Sequence, residues 1–166
     1  MPVMKKVLVS SMFVLVLVGC ATKGDNINTN NVPVVENYLR AIQDKNVDRL
    51  GLLLSDDFKG YGPSVNDSTD KAGAVDKWKQ LFAAYDAIEF VQPVCASGRV
   101  DSGSYSGDYV TCWTKVKIAT KNGKAINVPV HSAFRIAGGK INLARLLFNE
   151  ADSMRQLGYR FEAPAQ

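Results

Sequence analysis

Two short breaks, Asn122-Gly123 and Gly138-Gly139, restrict most strongly what this chain can become. Each separates stretches of strand character. Asn-Gly is the strongest short hairpin signal, because a two-residue type I′ turn needs left-handed backbone at both central positions. A strand over 109–120 therefore folds back onto one over 124–136, and that strand onto one over 140–149. A further strand, 88–99, precedes them across the polar loop from Asp101 to Asp108. The expected outcome is a meander of linked antiparallel hairpins.

Upstream, the apolar period lengthens from two residues to that of a helix. In 33–44, Val35, Tyr38, Leu39 and Ile42 recur at i, i+3, i+4 and i+7. Pro33 falls in the first turn, where its missing N–H costs nothing. A short helix follows over 46–55, with Asn46 as N-cap and Leu50, Leu53 and Leu54 turned inward. Asp57 to Pro63 breaks it, and a polar loop, 64–69, leads to a third helix over about 70–85. There Val75, Trp78, Leu81, Phe82 and Tyr85 form one stripe. Helices first and strands after make an α+β domain.

The first hairpin bears on the cysteines. If it turns near Gly103 and Ser104, Cys95 lies opposite Cys112 at a separation that a disulfide spans. Two buried free thiols are the alternative. The spacing is not that of a CxxC redox pair, and the chain has one histidine, so a zinc or other metal site is not expected.

The N-terminal segment gives an address. Lys5 and Lys6 lead into an apolar run, Val7 to Val18, of about a dozen residues, whereas a membrane-crossing helix needs roughly 20. This is the pattern of a secretory signal peptide. Leu17-Val18-Gly19-Cys20 resembles a bacterial lipobox, which implies cleavage before Cys20 and lipidation of its thiol. The expected organisation is a signal peptide at 1–19, a lipidated cysteine with a flexible Asn-rich tether at 20–32, and one domain at 33–166. The membrane is then a partner through the lipid on Cys20. Ala21, where aspartate would favour the inner membrane, points to the periplasmic face of the outer membrane in the cell envelope. The formal net charge is +4 and the basic residues are scattered, so no nucleic-acid partner is expected.

Three segments together resemble the nuclear transport factor 2-like superfamily, which includes SnoaL-like cyclases and ketosteroid isomerases. They are VENYLRAIQDKNVDRLGLLLSDDFKGYGP (35–63), WKQLFAAYDAIEF (78–90) and FRIAGGKINLARLLFNEADSMRQLG (134–158), the last with the pattern F-R-x-x-x-G-K-I followed by D and Q-L-G. The resemblance spans nearly all of 33–160. It implies three N-terminal helices packed in a strongly curved antiparallel sheet, a cone-shaped α+β barrel of the cystatin or nuclear transport factor 2-like kind. It also implies an apolar pocket at the open end of the cone. Tyr38, Phe58, Tyr61, Trp78, Phe82 and Phe134 are the ligand-binding candidates, although a stripe at helical spacing is packing more often than ligand contact.

Two residues are weak candidates for acid/base work. Asp152 falls where the family ending has an aspartate, but it equally suits the first turn of a short helix over 152–157. His131 shares a strand face with Asn127, Pro129, Ala133 and Arg135, opposite Val128, Val130, Ser132, Phe134 and Ile136. That sends it outward, unless a bulge near Pro129 turns it in. Asp57 reads as a turn residue. The chain has no P-loop, GxGxxG, HExxH or GxSxG, and no cofactor is expected.

Three functions are then in play. The favoured one is a non-catalytic domain on a lipid anchor that binds an apolar small molecule or serves as an accessory, so that the chain is not an enzyme. The second is a protein–protein module that dimerises through the outer sheet face, with Trp113, Lys115, Lys117, His131 and Arg135. The third is a SnoaL-like lyase or isomerase working by acid/base catalysis.

Overall fold

The computed structural model describes residues 31–162. The signal peptide, Cys20 and nearly all of the tether lie outside the described residues. The expected tether overlaps them only at Asn31, which is buried, and at Val32, where the first helix begins.

The elements in chain order are α1 (Val32–Gln43), α2 (Val47–Leu53), β1 (Leu54–Tyr61), β2 (Ser68–Asp70), α3 (Lys71–Ala84), β3 (Tyr85–Val100), β4 (Gly107–Thr120), β5 (Ala125–Ala137), β6 (Lys140–Phe148) and α4 (Glu150–Leu157). Local chemistry sets the helix starts. The Asn46 side chain accepts the Arg49 N–H at 2.9 Å, and the Asp70 side chain accepts the Gly73 N–H at 2.9 Å. Each satisfies one of the donors that a helix N-terminus leaves unpaired. Gly138 and Gly139 both have positive φ, as a two-residue turn requires, whereas the first turn takes three residues, Lys121 to Gly123, between Thr120 and Lys124, and only Gly123 is left-handed.

The strands form one six-stranded sheet in the order β2-β1-β6-β5-β4-β3. The hairpins of the meander are antiparallel, and Cys95 and Cys112 are register partners joined by a disulfide with their Cα atoms 4.2 Å apart. Buried Ile126, Val128, Val130, Ser132, Phe134 and Ile136 alternate along β5 with residues on the opposite face. The apolar ones pack with Val35, Leu39 and Ile42 of α1, Leu50 of α2, and Leu54 and Phe58 of β1 in one core.

The cone-shaped barrel with three N-terminal helices and an all-antiparallel sheet is not what forms. The sheet is mixed, because β1 runs parallel to β6 with Lys59 opposite Leu143 and Tyr61 opposite Arg145. It is also open, with β2 and β3 as its two edges, and a fourth helix follows the last strand. Closure would require β3 to pair across to β2. β2 has only three residues, and α1 packs against β3, where the Gln43 side chain accepts the Phe90 N–H at 2.7 Å. That backbone donor is satisfied by a helix rather than by another strand. The segment from Leu54 to Tyr61, part helix and part break by its sequence, is a strand because β6 offers it a partner.

Candidate functional site

A cavity of about 720 Å³ lies between the inner face of the sheet and helices α1, α3 and α4. Tyr38, Leu39 and Ile42 come from α1, and Ala74, Lys77, Trp78 and Leu81 from α3. β5 contributes Val128, Val130, Ser132 and Phe134, the inward set of its alternation. The walls are therefore mainly apolar, as small-molecule sites are.

Among the six aromatic candidates, Tyr38, Phe58, Tyr61, Trp78 and Phe134 line this cavity. Phe82 does not; its ring packs beside Trp78, with centroids 5.6 Å apart. Neither acid/base candidate lines it. His131 stands on the outer face, its ring edge-to-face with Trp113 at 5.9 Å. Asp152 lies in the first turn of α4, where its carboxylate accepts from the Gln156 amide at 2.8 Å.

Other polar groups do reach the cavity. The Tyr38 hydroxyl accepts the Trp78 indole N–H at 3.1 Å and is buried, and burial pushes its pKa up to about 12. Among the described residues nothing accepts the Tyr38 proton, so that O–H is free to donate to a ligand. At the mouth, the turn after β1 closes through Gly62 N–H to Asp67 C=O at 2.9 Å. This sets the Asp67 carboxylate 2.7 Å from Lys77 of α3. The Asp67 side chain also lies against Gly62, where an added Cβ would collide with it. On the same turn the Ser64 hydroxyl donates to Glu150 at 3.1 Å, and the Arg145 guanidinium sits 4.9 Å from the centre of the Tyr61 ring.

Sequence reasoning missed Asp67, Lys77 and Glu150. Asp67 sits in a polar run, Ser64 to Thr69, that looks like any turn, and Glu150 is overshadowed by Asp152 two residues on. The one available signal was Lys77, which sits directly beside Trp78 of the apolar stripe. Among the described residues no three His, Cys, Asp or Glu side chains converge to hold a metal ion. No described helix is long and apolar enough to cross a membrane.

Solved structures of similar fold include an LEH-like epoxide hydrolase from M. tuberculosis, 18% identical, with a TM-score of 0.57, covering 78% of this chain and 90% of that one. A protein with a ketosteroid isomerase-like fold from Catenulispora acidiphila, solved with trimethylamine, is 18% identical with a TM-score of 0.62, covering 76% and 93%. A candidate polyketide cyclase from Streptomyces antibioticus is 14% identical with a TM-score of 0.62, covering 78% and 99%. At these identities the likeness is one of fold. No curated protein matches the chain.

These comparisons correct two expectations, that the domain is a non-catalytic binder and that the chain is not an enzyme. An epoxide hydrolase and a candidate polyketide cyclase stand among the similar structures. The physical reason is in the cavity itself, which is not simply apolar. Its wall holds a buried hydroxyl with a free proton, and its mouth holds a carboxylate fixed by a lysine. The SnoaL-like domain model matches residues 35–144, about two thirds of the sequence, and the chain belongs to that family.

Proposed function

We propose that the domain is an acid/base enzyme of lyase or isomerase type, acting on an apolar small molecule that carries a carbonyl group. The observation that carries this reading is the Tyr38 hydroxyl. It receives the Trp78 N–H, keeps its own proton to well above neutral pH, and opens onto an apolar cavity. A fixed donor in a low-dielectric site stabilises an oxyanion as it develops on a carbonyl oxygen. Asp67 is the proton acceptor in this scheme, removing a proton from the carbon next to the carbonyl, and Lys77 holds its carboxylate in place. The proton then returns to another carbon, or departs with a leaving group.

The test is deuterium uptake. Apolar ketones sized to the cavity are incubated with the purified protein in D2O, and exchange beside the carbonyl is followed by NMR. Asp67→Asn should abolish the exchange, and Tyr38→Phe should slow it about a hundredfold. Wild-type protein that exchanges none of the panel, or variants that exchange as fast as wild type, would sink the reading.

We propose further that Cys20 carries lipid and holds the domain at the outer membrane of the cell envelope. The support is the order of Lys5-Lys6, the apolar run, Leu17-Val18-Gly19-Cys20 and Ala21. Labelling with an alkyne fatty acid should mark the wild-type chain and leave Cys20→Ala unmarked.

One observation favours self-association. Val94, Trp113, His131 and Leu147 are successive register partners across four strands of the outer face. Val94, Trp113 and Leu147 remain 63%, 43% and 52% exposed. A second copy packed on this row should sediment as a dimer that Trp113→Ala dissociates; a strict monomer at high concentration would reject it.

A further inference from the structure

Helix α4 supplies Glu150, Ser153, Met154 and Leu157 to the rim of the cavity. These are positions i, i+3, i+4 and i+7, one face of the helix. None of its residues is fully buried, and of these only Leu157 packs against the core. Apart from the turn at Gly62, Pro63 and Asp67, the remaining cavity wall belongs to the sheet and to α1 and α3, which carry core residues.

What holds α4 is polar. β6 pairs with β5 only as far as Val130, opposite Phe148, so the backbone of Asn127 lacks a strand on that side. The Gln156 side chain takes the place of one. Its Oε1 accepts the Asn127 N–H at 2.8 Å, and its Nε2 donates to the Asn127 C=O at 2.9 Å. Nε2 also donates to the Asp152 carboxylate at 2.8 Å, which fixes which end of the amide faces which backbone group. Lys124 Nζ donates to the Leu157 C=O at 2.8 Å at the helix C-terminus, and Ser64 holds Glu150 at the other end.

We infer that α4 is a gate over the cavity and that Gln156 is its latch. Exposed hydrogen bonds contribute little each, so a helix held mainly by them opens far more readily than the sheet does. Asn149, extended between β6 and α4, is the pivot. Asp152 is a positioning residue in this device, acting through Gln156. The ligand-admitting role of the gate rests on the reading that the cavity holds a small molecule.

The test needs no ligand. In a Trp113→Phe background of the full chain, Trp78 on the cavity wall is the one tryptophan left. Its quenching by acrylamide reports how often the cavity opens. Gln156→Ala should raise the quenching constant severalfold and speed amide exchange in α4 about tenfold, the order expected for losing a pair of exposed hydrogen bonds. Exchange in β4, and in β5 apart from the Asn127 amide that loses its Gln156 acceptor, should stay as it was. Lys124→Met, which removes only the C-terminal contact, should act in the same direction more weakly. Unchanged Trp78 quenching in both variants would overturn the gate, as would α4 amides that exchange no faster than the sheet. Neither readout depends on turnover, so a failed deuterium assay leaves this result standing and a failed gate leaves that assay standing.

Discussion

Trp78 of α3 donates its indole N–H to the hydroxyl of Tyr38 of α1 across 3.1 Å, joining two helices in the wall of the cavity. Burial makes the Tyr38 phenolate costly, and its pKa rises from 10.0 to about 12. A group whose folded pKa is raised stabilises the fold fully below its unfolded pKa, and that stability is lost as pH rises through the folded value. Tyr38 therefore destabilises the protein progressively between pH 10 and 12, by at most about 3 kcal/mol for a shift of this size. Urea unfolding of wild type and Tyr38→Phe across this range should show the difference between them shifting in favour of the variant as pH rises. A difference independent of pH would mean the hydroxyl is not buried.

Gly62 and Asp67 test how tightly the mouth is built. A Cβ at Gly62 collides with the Asp67 carboxylate, so Gly62→Ala must push that side chain away from Lys77. The ion pair is surface-exposed, and its loss costs at most about 1 kcal/mol. The expected outcome is deuterium exchange as low as in Asp67→Asn, with a nearly unchanged melting temperature. Retained exchange would show that the carboxylate does not need this position.

Phe134 is 1% exposed and meets the Tyr38 ring edge-on, with centroids 5.8 Å apart. It serves both core and cavity wall. Phe134→Ala should destabilise the domain by about 3–5 kcal/mol through lost burial and the void left behind. Phe134→Leu should cost less. Denaturant unfolding measures both, and a loss below about 1 kcal/mol for the alanine variant would contradict this packing.

The disulfide joins residues 17 apart in sequence, at the middle of the β3–β4 hairpin. Closing a loop of that length restrains the unfolded chain and contributes roughly 3 kcal/mol in the chain-entropy model. Cys95→Ser with Cys112→Ser should lower the melting temperature by roughly 10 °C. Calorimetry with and without reductant checks this; reductant should shift wild type and leave the double variant unmoved.

Much of the inner face was legible from local pattern. Alternation along 124–136 placed Phe134 inward and His131 outward, and the structure has them so, because a strand allows only two faces. Helical spacing put Tyr38 and Trp78 on apolar faces, but nothing in either helix says that the two side chains hydrogen-bond. Asp67 and Lys77 are ten residues apart on a turn and a helix, and only the packing of α3 on β1 brings them together. Asp152 suited either an acid or the first turn of a short helix; it lies in that first turn and accepts from the Gln156 amide, because α4 lies with its Glu150 and Ser153 face to the cavity.

The sequence by itself determined the hairpins at Asn122-Gly123 and Gly138-Gly139, the opposition of Cys95 and Cys112, and the family. All of these follow from turn chemistry, period and order along the chain. Only the tertiary structure decided that Leu54 to Tyr61 is a strand parallel to β6, that the sheet stays open, and that α4 lies over the cavity. The physical reason is distance along the chain. The Ser55 hydroxyl bonds to the Ile141 carbonyl across 86 residues, and a pairing of that range is settled by what the rest of the fold leaves unpaired, not by any local preference.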